Sequence, residues 1–224
     1  MADARSRPRR RTRALRGGRP TRAAAERLGE KIIGVATELF LTEGYGATSI
    51  ETIARRARIA KRTFYLRFAD KADLFGAVVH HLVERLRPPN DAALFEGGTL
   101  EEILTRLAQI ILRAALSREA LELHRVILAE APRFPELAAV VSEQGGRSEA
   151  VSRIAALLKR MAAPRTLAPR DATFAAAQFL QMVVALPQRR ALGLGQAMTA
   201  AELAAWTRDT VALFLTGFEG RLRR

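Results

Sequence analysis

From Ala23 almost to its C-terminal end, the chain repeats apolar residues at intervals of three and four and nowhere alternates them with period two. Such spacing lines one face of a helix, whereas a half-buried strand needs strict alternation. An all-α fold is therefore expected. The 224 residues suffice for one large domain or two small ones with a substantial core. Cysteine is absent, which excludes disulfides, thiolate zinc sites and cysteine nucleophiles and fits a cytoplasmic location. No apolar run approaches the roughly 18 residues of a membrane span, and none follows the basic N-terminus as a secretory signal would require.

The formal net charge is +14, and its distribution matters more than its size. Residues 1–22 hold nine arginines against Asp3 alone, with proline and glycine but no apolar periodicity. This segment reads as a disordered basic arm, either a polyanion-binding element or a plain solvated extension.

Punctuation divides the rest. A first helix covers about 24–43, with Ile32, Ala36, Leu39 and Phe40 on one stripe and Gly44 ending it. A short helix follows at about 49–57. Thr48-Ser49-Ile50-Glu51 reads as a capping box in which the Thr48 hydroxyl accepts one free N–H and Glu51 reaches back to another. A second short helix spans about 60–67. A fourth begins after Asp70, an N-cap, and runs to about Arg87, where Pro88-Pro89 stops it. The loop 88–98, with Gly97-Gly98, is the candidate boundary between a domain over 23–87 and a domain over 99–224. Beyond it lie long helices. They cover about 100–116, Ser117 to before Pro132, Pro135 to about Met161 with a break at Gly145-Gly146, Pro169 to about 187, and about 200–220.

Two short helices joined by a tight turn and flanked by longer ones make a helix-turn-helix, whose second helix enters the major groove. Placed at 100° intervals, Phe64 and Phe68 point inward. Arg62, Thr63, Tyr65 and Leu66 cover the outward arc, with Lys61 at its N-terminal end and Arg67 at its flank. Lys61 and Arg62 suit guanine edges or phosphates, the hydroxyls of Thr63 and Tyr65 suit phosphate oxygens, and Leu66 suits a thymine methyl. Thr48 and Ser49 at one helix N-terminus, and Lys71 at another, are candidates for the phosphate backbone. The alternative is a helical hairpin with a solvated basic face.

Residues 36–74 run Ala-x-x-Leu-Phe-x-x-x-Gly-Tyr-x-Ala-Thr-Ser-Ile-x-x-Ile-Ala-x-x-Ala-x-Ile-Ala-x-x-Thr-Phe-Tyr-x-x-Phe-x-Asp-Lys-x-x-Leu, and this pattern resembles the signature of TetR-type regulators. The resemblance implies an N-terminal three-helix reading domain linked by a fourth helix to a ligand-binding and dimerisation domain. It also implies a homodimer that binds double-stranded operator DNA and releases it when a small molecule binds. Thr48 and Lys71 match phosphate-contacting positions, and Lys61, Arg62, Thr63, Tyr65 and Arg67 match the recognition segment. Residues 18–22, including Arg19 and Arg22, are similar to a basic arm that enters the minor groove. Three positions depart from the pattern. Arg58 stands where the turn usually has Gly, which implies strain of about 1–2 kcal/mol if its φ is positive. Ala60 replaces a Ser N-cap, and Arg62 replaces a frequent Gly.

The last two helices are the candidate dimer interface. Leu203, Trp206, Thr210, Leu213 and Gly217 follow a heptad, flanked by Phe214. Phe179, Met182 and Leu186 form a second stripe. Together they suit a four-helix bundle between subunits, or simply the closure of one subunit's core. Candidate ligand contacts are Phe95, His124, Arg125, Gln178, Phe179 and Met182, and the scarcity of interior charge points to an apolar or aromatic molecule. An enzyme is disfavoured. The chain has three histidines, no Gly-x-Ser-x-Gly and no phosphate-binding glycine loop, and no catalytic, cofactor or metal residue is assigned. The competing reading is an architectural protein that binds any DNA through its arginine tail.

Overall fold

The computed structural model describes residues 22–87, 92–144, 146–162 and 168–222, so most of the basic arm, Arg19 included, lies outside the described residues. Ten α-helices and one single-turn 3-10 helix account for nearly all of them, with no strand among the described residues. The first four helices, which cover the segment expected to be the reading domain, are α1 (Arg22–Glu43), α2 (Ile50–Ala57), α3 (Lys61–Tyr65) and α4 (Lys71–Leu86). After the 3-10 turn Ala92–Phe95 come α5 (Leu100–Ala115), α6 (Arg118–Glu130), α7 (Glu136–Gln144), α8 (Arg147–Ala162), α9 (Pro169–Ala191) and α10 (Ala200–Leu222). No described helix is long and apolar enough to cross a membrane.

The helix starts follow local chemistry. Asp70 and Ser117 accept the backbone N–H of Asp73 and Ala120. The capping box expected at Thr48 is not there. Ser49 caps α2 instead, its Oγ accepting from Thr52 N at 3.1 Å, while Glu51 turns to the Lys61 ammonium. A true box forms at Thr99 with Glu102, ahead of α5.

The sequence places Pro187 near the end of its helix, yet α9 continues one turn beyond it. A proline inside a helix strands the carbonyl four residues earlier, here that of Val183. The Trp206 indole donates to that carbonyl at 3.0 Å, so α10 supplies the hydrogen bond that α9 loses.

Two cores result. One gathers Ile32, Leu39, Phe40, Ile53, Phe64 and Phe75 from α1 to α4, and is completed by Val126 of α6 and Leu137 of α7. The other packs α5, α8, α9 and α10 around Leu104, Leu158, Phe179, Val183, Val211 and Phe214. The cores do not follow chain order: α6 and α7 close the N-terminal core, and α4 reaches the C-terminal half.

Candidate nucleic-acid interface and ligand cavity

The link between α2 and α3 turns on Arg58, at φ 53° and ψ 51°, the one described residue other than glycine in the left-handed region. Its N–H and that of Ile59 cap the end of α2. The α3 helix starts at Ala60 with no side-chain cap. Phe64 and Phe68 are buried and anchor its inner face. Outside stand Lys61, Arg62, Tyr65 at 49% exposure and Leu66 at 75%, the face expected to meet the groove. Thr63 is half-buried. The Lys61–Glu51 pair holds the Lys61 pKa up and the Glu51 pKa down, each chiefly through their hydrogen bond.

Two expected phosphate contacts, Thr48 and Lys71, and one residue of the recognition segment, Arg67, sit differently. Thr48 is buried, and its hydroxyl donates to Gly44 O at 2.8 Å. Lys71 is half-buried, its ammonium donating to Tyr45 O at 2.8 Å and Thr48 O at 3.0 Å and lying 4.2 Å over the Tyr45 ring. Both side chains thus brace the loop ahead of α2 rather than project from it. Burial lowers the Lys71 pKa, opposed by the Glu130 and Glu136 carboxylates. Arg67 turns back onto α1 and donates to the Ala25 carbonyl, where Gly29 leaves room for the guanidinium. Arg22 opens α1 and pairs with Glu26 at 2.9 Å.

The same loop is held from the far half of the chain. Gly46 N donates to Glu130 Oε1 at 3.1 Å, and the Phe134 ring meets the Tyr45 ring edge-on at 5.1 Å. Burial above all, then Glu136 and Asp70, pushes the Tyr45 pKa up to about 12. Sequence reasoning missed this brace, because nothing local relates residues 84 positions apart.

Behind the reading domain lies a cavity of about 470 Å³. Val79, Leu82, Val83 and Leu86 of α4 form one wall, and α5, α6, α8 and α9 form the others. Of the six candidate contacts, Phe95 and His124 line it. Burial lowers the His124 pKa. The other four lie elsewhere. Arg125 is exposed and donates to Ala191 O at 3.3 Å, and Gln178 is exposed. Phe179 is fully buried against Phe214, and half-buried Met182 packs on the same core. Most of the lining was missed, including Leu107 and Ile111 of α5, Arg153 of α8 and the α4 residues, and for α4 the only signal was that the fourth helix joins the two halves.

The candidate interface stripes divide likewise. The buried face of α10 carries Thr207, Thr210, Val211, Phe214 and Phe218, so the heptad runs along its edge. Thr210, Phe214 and Phe179 therefore pack inside the subunit. Leu203, Trp206 and Leu186 are half-buried, while Gly217 and Leu213, at 66% exposure, remain outside. Phe174 of α9, which the stripe reading passed over, is also exposed.

A left-handed turn between two short helices, an outward basic and aromatic face, and a cavity walled by the helix that follows define an all-helical protein of the helix-turn-helix class. Residues 32–78 match the family of bacterial regulatory proteins called tetR, and residues 102–219 match the C-terminal domain of AefR-like transcriptional repressors. The chain belongs to the TetR family. It is 30% identical over 115 residues to an uncharacterized HTH-type transcriptional regulator of Mycobacterium tuberculosis, which takes in 51% of this chain and 53% of that protein. The chain thus spans about half the length of the curated relatives it matches. Among solved structures it resembles a TetR-family protein from Mesorhizobium loti, at 29% identity and a TM-score of 0.72 over 88% of this chain and 98% of that one. It also resembles the flavonoid-responsive regulator FrrA, at 31% identity and 0.69 over 86% and 97%.

Proposed function

We propose that the chain acts as a homodimeric, ligand-responsive repressor that binds a pseudo-palindromic operator through α2 and α3 and is released by a small apolar or aromatic molecule. The observation that carries this reading is the cavity wall contributed by α4. That helix also supplies Leu74, Phe75 and Val78 to the core of the reading domain. A molecule that fits the cavity best with α4 displaced shifts the population towards a spacing of the two reading heads that no longer matches one helical turn of DNA. Lys61, Arg62, Tyr65 and Leu66 are the base- and phosphate-facing set. Thr48, Ser49 and Lys71 act indirectly, by setting the loop and the start of α2. The exposed faces of α9 and α10, with Phe174, Leu213 and Gly217, are the dimer surface. Relatives support the ligand class and the sign of regulation: one is flavonoid-responsive, and the matched C-terminal family is of repressors.

Selection of bound sequences from random DNA, followed by titration of the winner, tests the reading. The expected result is an enriched inverted repeat bound roughly 10³-fold or more tighter than random DNA. Uniform, salt-sensitive binding without enrichment would instead assign the chain to sequence-independent packaging through its arginine arm.

A further inference from the structure

At Arg58 the main chain supplies everything that the fold asks of the position. The turn needs φ 53° and ψ 51°, and the N–H groups of Arg58 and Ile59 close α2 on the carbonyls of Arg55 and Ala54, at 3.1 and 2.9 Å. Glycine would make the same turn and the same two bonds without strain. The arginine side chain is exposed and makes no hydrogen bond, ion pair or ring contact among the described residues. Its charge does favour the C-terminal end of α2, but at an exposed site that attraction is screened by salt and is smaller than the cost of a left-handed turn on a residue with a Cβ. The subunit thus carries a strained cation that its own contacts do not offset.

The neighbouring charges narrow what does. Glu51 pairs with Lys61, Glu38 pairs with Arg56 at 3.2 Å, and Arg67 turns back onto α1. Arg55, Arg58 and Arg62 stay exposed, with no carboxylate partner among the described residues. All three fall within residues 55–62, and Arg58 stands three residues ahead of Lys61, the start of α3, so its Cα is within about 11 Å of that end of the helix. Like charges gathered on one exposed edge repel one another unless a polyanion lies against them. Resting on the reading that α2 and α3 meet DNA, we propose that Arg58 is a further DNA contact, its guanidinium bound to a backbone phosphate beside the groove that α3 enters. A phosphate fits better than a base edge, because the residue lies on the turn and not on the reading helix, and because the guanidinium fork matches two phosphate oxygens. The position exchanges folding stability for DNA affinity.

Titration of a fluorescein-labelled duplex of random sequence with the full chain, between about 50 and 200 mM salt and beside thermal melts, tests this. Arg58→Gln removes the charge and keeps the left-handed strain. It is expected to bind about three- to tenfold more weakly and to flatten the salt dependence by a slope of about 0.9, with its melting temperature unchanged. Arg58→Gly should lose the same affinity while melting higher, so that stability and binding move in opposite directions. Arg58→Lys should keep the slope. Arg113→Gln removes an exposed charge from α5, in the other half of the chain, and should leave the slope as it is. An equal loss in that variant would reduce the effect to net charge and overturn the contact. Weaker binding by Arg62→Gln with none by Arg58→Gln would also overturn it, and leave the α2 and α3 interface standing. If neither variant weakened binding, the interface reading would fall and this proposal with it.

Discussion

At Arg58 the backbone makes a tight turn with a side chain that disfavours it. The left-handed region costs a residue with a Cβ about 1–2 kcal/mol, and glycine returns part of the gain through its freer unfolded chain. The Arg58→Gly variant is therefore expected to gain about 1 kcal/mol and melt about 2–4 °C higher. An unchanged or lower melting temperature would mean that the exposed arginine makes good its own strain. His124 has the opposite character. Burial lowers its folded pKa, so the unfolded chain binds the proton first. Its contribution to stability is present above the unfolded value and is lost as pH falls through the folded one. Thermal melts between pH 7 and pH 5 should show a decline that His124→Leu reduces. A decline of the same size in the variant would assign the acid sensitivity to other groups.

Among elements, the α9–α10 pair carries an interaction that neither helix explains by itself. Pro187 frees the Val183 carbonyl, and Trp206 satisfies it from across the interface. Leaving such a group unpaired costs about 1–3 kcal/mol. Trp206→Phe should therefore destabilise the wild-type background by that order and cost distinctly less beside Pro187→Ala, where the helix repairs its own hydrogen bond. Denaturant unfolding of the four proteins measures the coupling, and additive effects would mean that the indole matters only for packing. The α6–α7 corner is the second such element. Glu130 and Phe134 clasp the loop before α2, and His124 lies on the cavity less than two turns ahead of Glu130 on the same helix. In the proposed mechanism both α4 and α6 would connect the cavity to the reading head.

For the whole molecule, the proposed dimer surface on α9 and α10 is where assembly, and through it recognition, can be tested. One short helix reads too few base pairs, so two heads must be held at a set separation. Leu213 is exposed and forms no part of the subunit's core, so Leu213→Arg should leave the monomer folded. Sedimentation velocity is expected to find that variant monomeric, with binding to the paired site abolished. A dimer of wild-type stability would move the interface elsewhere. The basic arm belongs to the same scale. Removing residues 1–18 should flatten the dependence of DNA affinity on salt by a slope of about 0.9 for each phosphate that the arm neutralises. An unchanged slope would remove the arm from the interface.

Much of this protein was determined by its sequence alone, because those features are local. Apolar spacing and caps marked the helices to within a few residues, the period of α3 separated Phe64 and Phe68 from the outward arc, and Pro169 and the glycine pair 145–146 punctuated the second half. What only the tertiary structure decided depends on which face meets which. A heptad on α10 cannot say that Thr210 and Phe214 turn inward while Leu213 stays outside, since periodicity describes one helix and not its neighbours. Pattern alone could not reveal that Lys71 and Thr48 serve the loop ahead of α2, or that Trp206 completes α9. Each of those arrangements joins side chains far apart in the chain, and only the packing of helix on helix brings them within reach of a hydrogen bond or an ion pair.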